Sequence, residues 1–147
     1  MERAVRFDDP ASGQVSLPGG HVDATDGTLR DTALRELAEE IGLSRVDLVG
    51  PPRFLAIEPA PRFSLHVGVF AGRLGPRSGA PLTPSPKEVA DIFWLPLEAL
   101  SERTTVTRET KAGPAPVDAV VRDSHVIWGF TLRVLRKYFG APTPGSS

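Results

Sequence analysis

Apolar and polar positions alternate with different periods along this chain, and the changes of period mark its elements. Over residues 28–41, Leu34, Leu37, Ala38 and Ile41 recur at helical spacing. At about 100° per residue they share one arc, which predicts a helix with that arc toward a core. Thr28 can cap it with Asp31 in the capping-box position, and Gly42 is placed to end it. Upstream, residues 14–17 alternate briefly and stop at Pro18-Gly19-Gly20, a short strand running into a tight glycine turn. Asp8-Asp9-Pro10 signals an earlier turn, and residues 23–27 read as loop. Beyond the helix, residues 45–49, 54–57, 64–74 and 89–95 are rich in branched and aromatic side chains and predict strands. A Gly/Pro-rich loop, expected to be mobile, spans 75–86, and 96–100 reads as one helical turn. Residues 104–108 and 116–121 predict a hairpin around Lys111-Ala112-Gly113. The last helix is expected over 127–139, with Trp128, Leu132, Leu135 and Phe139 as its apolar stripe, Gly140 as its stop and 141–147 as a frayed tail. Trp94 and Trp128 read as core. This order predicts an α/β (α+β) fold, a mixed sheet flanked by helices, in one domain over 1–140.

Composition narrows the function. A chain of 147 residues suits one domain with a proper core. Hydrophobic residues at 40% and charged residues at 24% are those of a soluble globular protein. The net charge of -1 lacks the basic excess of a polymeric nucleic-acid binder. An acidic small molecule remains open as a substrate, provided a metal supplies positive field locally. The absence of cysteine excludes disulfides, thiolate nucleophiles and zinc–thiolate sites. No apolar run approaches the roughly 20 residues that cross a bilayer, and the N-terminus has no apolar signal core. The expectation is a cytoplasmic protein with no membrane partner.

The chemistry concentrates in the predicted helix. Glu36, Glu39 and Glu40 fall roughly opposite its apolar arc, with Arg35 beside them, one turn before Glu39. Like charges at i,i+4, as in Glu36 and Glu40, repel by a few tenths of a kcal/mol. Hard divalent cations such as magnesium take oxygen ligands and offset such repulsion. A run of this kind is also common on solvated helices. The upstream Pro-Gly-Gly turn adds the second half of a site, because glycine lets backbone approach a ligand closely.

This segment resembles the Nudix box. Gly20, five residues and Asp26 match its first half, and Arg35-Glu36-Leu37-Ala38-Glu39-Glu40-Ile41-Gly42-Leu43 match its second half at every defined position. Asp26 stands where the general pattern has glutamate, and the gap from Asp26 to Arg35 is one residue longer than usual. Both departures are shared by the coenzyme A pyrophosphatase-like branch. Gly13-Gln14-Val15-Ser16-Leu17-Pro18-Gly19-Gly20 is similar to that branch's segment before the box, with leucine replacing phenylalanine. Residues 88–100 and 126–135 also resemble its late strand and C-terminal helix. Relatives usually carry one or two strands before this point, so the resemblance implies a Nudix-like mixed sheet sandwiched between helices and lacking those strands. A late start codon, a truncated form, or a partner chain filling the gap would each account for this.

The resemblance implies metal-assisted hydrolysis of a pyrophosphate bond in a small nucleoside-diphosphate derivative, with coenzyme A leading and ADP-ribose, dinucleotides or nucleoside triphosphates as alternatives. A non-catalytic nucleotide-binding module is the alternative from another class. Glu36, Glu39, Glu40 and the carbonyl of Gly19 would hold Mg2+ or Mn2+, one glutamate would help deprotonate water, and Arg35 would orient the carboxylates. Asp26 either holds the loop to the helix or is a simple turn residue. Glu88 is either an extra carboxylate for the site or a solvated loop end. His21 either lines the pocket or lies on the surface, while His66 reads as structural. Arg3 and Arg6 are candidates for substrate phosphates. A homodimer is expected from family habit and from the exposed sheet edge.

Overall fold

The computed structural model describes residues 1–5, 13–76 and 82–140. The turn at Asp8-Asp9-Pro10, Arg6, part of the Gly/Pro-rich loop and the tail at 141–147 lie outside them. The chain forms two compact units, Met1–Gly13 with Leu17–Ile92, and Gln14–Ser16 with Phe93–Ser147.

The first unit contains β1 (Glu2–Arg3), α1 (Leu29–Ile41), β2 (Arg53–Ala60), β3 (Leu65–Ala71) and β4 (Val89–Asp91). Helix α1 begins as its sequence demands. The Thr28 hydroxyl accepts the Asp31 N–H at 3.2 Å, and Gly42 closes the helix in the left-handed region at φ 75°. Its last carbonyls are not left to solvent. Thr83 N–H donates to the Ile41 carbonyl at 3.0 Å and Ser85 N–H to that of Glu40 at 2.9 Å. The segment leading to β4 is thereby tied to the end of α1, which matters for the site. Strands β2 and β3 pair antiparallel from Arg53↔Ala71 to Ala60↔Leu65, with a bulge between Phe54 and Ala56. Strand β1 pairs antiparallel with β4. Met1, Ile41, Leu43 and Val89 are buried together, with Leu37, Leu74, Leu82 and Ile92 packed around them.

The second unit contains β5 (Thr104–Thr110), β6 (Gly113–Arg122), β7 (His125–Trp128) and α2 (Gly129–Phe139). The three strands form an antiparallel sheet in that order. Ala99, Leu100, Val120, Ile127 and Leu132 make its core, with Val15, Phe93, Leu95 and Leu135 against it. Helices and strands give the expected α+β class, and every pairing among the described strands is antiparallel.

Several expected elements are corrected. Residues 45–49 begin with a 3-10 turn, Arg45–Asp47, rather than a strand. The Asp47 carboxylate accepts both the N–H and the hydroxyl of Ser44, at 2.8 and 2.9 Å, a local bond that competes with sheet pairing. Residues 14–17 form no strand element; Val15 instead packs into the second core and accepts a hydrogen bond from Thr131 Oγ1 at 3.1 Å. Residues 127 and 128 belong to β7, not to the last helix. The Asp123-Ser124 turn, with Asp123 at φ 51°, folds β7 back on β6. Trp128 therefore precedes α2, and Phe139 is 42% exposed, so the working stripe of α2 is Thr131, Leu132 and Val134. Trp94, expected in the core, is 75% exposed. His66 is exposed on β3 rather than structural.

Candidate active site

Three segments of the first unit build the site: the glycine turn, the loop Asp23–Asp26 and helix α1. Their junction is Asp26. Its side chain is 4% exposed, and Arg35 grips it with both ends of the guanidinium, Nε to Oδ1 at 3.0 Å and Nη2 to Oδ2 at 2.9 Å. Oδ2 also accepts the Asp23 N–H and the Thr32 hydroxyl, each at 2.8 Å. Bidentate, charge-assisted bonds of this kind are strong and directional. They hold the Asp26 carboxyl well below the usual range, Arg35 contributing most, while Asp26 and Glu36 raise the guanidinium of Arg35. Asp26 therefore holds the loop to the helix and is more than a turn residue.

Arg35 faces the carboxylates with its third nitrogen. Nη1 donates to Glu36 Oε1 at 2.8 Å and to Glu39 Oε2 at 3.1 Å. Nη2 also donates to the carbonyl of His21 at 2.9 Å, so His21 takes part through its backbone while its side chain is exposed. One arginine thus ties the glycine turn, the Asp26 loop and two glutamates together.

Glu40 differs from its neighbours. It is 3% exposed, and Gly19 N–H donates to its Oε2 at 2.9 Å. Burial raises its pKa to about 7; the Gly19 bond and Arg3 oppose that shift, and the negative charges of Glu36 and Glu88 add to it. The carboxylate arc is therefore not a solvated face opposite the core. Glu40 and Ile41 are buried side by side, while Ala38, expected inside, is exposed. The reason is the docking of the glycine turn on one side and of the 83–89 segment on the other. Gly20 lets the turn close on Glu36: a Cβ there would meet the Glu36 carboxylate and push it aside.

The remaining candidates divide. Arg3 Nη1 lies 3.9 Å from Glu40 Oε1, so it faces the site. Glu88, half-buried just before β4, is near enough to raise Glu40 weakly through its charge, the smallest of the causes acting on that carboxyl. Arg6 lies outside the described residues. Thr32 is a contributor that sequence reasoning missed; its signal was a hydroxyl one turn before Arg35 inside the box.

The donor set fits a hard divalent cation in its chemistry. Glu36, Glu39 and Glu40 offer oxygen ligands, and the buried Glu40 carboxyl lies 3.9 Å from Arg3 Nη1. Among the described residues no three carboxylates or histidines are gathered as a ready-made metal cluster. Arg35 draws Glu36 and Glu39 to itself while Glu40 turns to Gly19.

A family model described as the NUDIX domain matches residues 1–115, and the chain belongs to the Nudix family. The human mitochondrial coenzyme A diphosphatase NUDT8 is 30% identical over 152 aligned residues, covering 98% of this chain and 62% of the relative. An uncharacterized Nudix hydrolase NudL of Pectobacterium atrosepticum is 29% identical, covering 86% of this chain and 65% of the relative. The chloroplastic Nudix hydrolase 22 of Arabidopsis thaliana is 37% identical over 84% of this chain and 43% of its own length. The chain thus spans less than two thirds of each of these relatives. These likenesses place it near the coenzyme A pyrophosphatase-like branch, at modest identity.

Proposed function

We propose that this chain hydrolyses a pyrophosphate bond in a small nucleoside-diphosphate-linked molecule, with a divalent cation, Mg2+ or Mn2+, as cofactor. The observation that carries this reading is the single arginine joining the glycine turn to Glu36 and Glu39, with a buried Glu40 alongside. Glu36, Glu39, Glu40 and the carbonyl of Gly19 are the residues that would hold the cation. When bound, it would offset phosphoryl charge and lower the pKa of a water. Arg35 keeps two carboxylates in a fixed orientation, so little reorganisation is needed during reaction. Glu40, poised near neutrality in the free protein, is suited to accept a proton from the attacking water. Arg3 supplies a positive charge beside the acidic group, where a substrate phosphate would otherwise be repelled.

Coenzyme A or an acyl derivative is the substrate we favour, supported by the human relative, a coenzyme A diphosphatase, and by the segment preceding the box. The test is hydrolysis of a panel of coenzyme A, ADP-ribose, NADH, diadenosine polyphosphates and nucleoside triphosphates with Mg2+ or Mn2+. Glu40→Gln serves as control. Cleavage of coenzyme A that needs the metal and is lost in the variant supports the full reading. Cleavage of another member keeps the chemistry and removes the coenzyme A assignment. No turnover by folded protein would favour a binding module.

A further inference from the structure

The Thr32 hydroxyl has one proton and two acceptors in reach, Asp26 Oδ2 at 2.8 Å and the Thr28 carbonyl at 3.4 Å. The shorter, charge-assisted bond to the carboxylate is the stronger. Thr32 is 5% exposed, so water cannot replace that donor if it is removed. Asp26 is anchored on the loop side by Asp23 N–H and on the helix side by Thr32, and only then meets the Arg35 fork. Without the hydroxyl, Asp26 keeps the Asp23 N–H and the Arg35 fork but loses the Thr32 tie to α1, so carboxylate and guanidinium can shift together. Arg35 follows Asp26, and Glu36 and Glu39 follow Arg35. We propose that Thr32 is a positioning residue of this site, setting the orientation of Arg35 and its two glutamates through Asp26. Its kinetic consequence rests on the hydrolase reading; its structural consequence does not.

The test compares Thr32→Val, which keeps the shape and loses the donor, with Thr32→Ser, which keeps the donor. Thr32→Ala replaces the valine variant if that does not fold. The first readout is solvent exchange of the Arg35 Nε–H by 15N NMR in metal-free protein, assigned by its loss in Arg35→Lys. The second is kcat and KM on the best substrate of the panel at saturating Mg2+. Loss of the donor is expected to speed Nε–H exchange and to lower kcat, each on the order of 10-fold, with KM nearly unchanged. Thr32→Ser is expected to restore both. Unchanged Arg35 exchange in Thr32→Val overturns the proposal. So does a serine variant as impaired as the valine one, or a kcat loss that only tracks the folded fraction. If the wild type cleaves nothing on the panel, the hydrolase reading fails, while the exchange measurement still decides the role of Thr32.

Discussion

Two arginines organise this molecule, one in each compact unit, and they do opposite things. Arg136 on α2 donates to Asp118 at 2.6 Å and to the carbonyls of Leu100 and Glu102 at 2.9 and 2.6 Å. Every carboxylate around it is matched by at least one arginine: Arg103 shares Asp118, and Arg122 pairs with the Glu102 side chain. Arg35 faces Asp26, Glu36 and Glu39, with Glu40 buried nearby. The first network satisfies backbone carbonyls at the end of the 3-10 turn Leu97–Ser101 and carries three arginines against two carboxylates, so it leaves no negative charge over. The second leaves negative charge in excess, with one carboxylate held near neutrality by burial. An arginine network that closes on itself is a clamp. One that gathers surplus carboxylate on a helix beside a glycine turn suits the divalent cation proposed for this site.

The sharpest way to break this comparison is to remove the surplus. Glu36→Gln and Glu40→Gln should each lower kcat about 10²–10³-fold on whatever substrate the panel identifies, as the loss of one preorganised electrostatic group does. Steady-state kinetics beside a thermal melt would check it. An inactive but destabilised Glu40→Gln would point instead to a structural role for the charge.

Arginine replacement separates the two networks directly. Arg35→Ala should cost about 10–100-fold in kcat and should lower Tm as well, because it strands the buried Asp26 carboxylate. Arg136→Ala should leave kcat within a few-fold. It should lower Tm by roughly 5–10 °C, since bonds to a charged donor contribute roughly 1.5–3 kcal/mol each. Equal losses of kcat in both variants would erase the distinction.

The seat of Glu36 against the turn gives a smaller effect. Gly20→Ala places a Cβ into the Glu36 carboxylate and should cost about 10-fold in kcat. Raising the Mg2+ concentration should recover part of the loss if the displaced glutamate is a ligand.

The pH dependence of metal-free stability is the smallest effect and the most specific. Glu40 has its folded pKa raised, to about 7 from 4.5, so its stabilising contribution is full below pH 4.5 and is lost as pH rises to about 7. Stability should decline across that window and level off above it. Glu40→Gln should flatten the slope, and chemical denaturation at closely spaced pH values would measure it. A slope unchanged in the variant would show that another group titrates there.

Much of this was legible along the chain. The box spacing, the Thr28 cap, the Gly42 stop and the Lys111-Ala112-Gly113 hairpin all depend on contacts a few residues apart, which local chemistry decides. The hairpin at Asp123-Ser124 was missed because two apolar residues before a helix, Ile127 and Trp128, satisfy helical and strand patterns equally. The strand expected at 45–49 failed because the two Ser44–Asp47 bonds wind its start into a 3-10 turn, leaving only Leu48 in a bridge, with Leu74.

The sequence by itself determined the helix, the order Arg-Glu-x-x-Glu-Glu on it and the glycines ahead of it. Those are properties of spacing and of allowed backbone angles. Only the tertiary structure decided that Glu40 is buried while Glu39 is exposed, that Asp26 is a brace, and that Arg3 faces the Glu40 carboxyl. Burial and charge proximity come from which segments dock on a helix. Periodicity names the faces of that helix without saying what covers them.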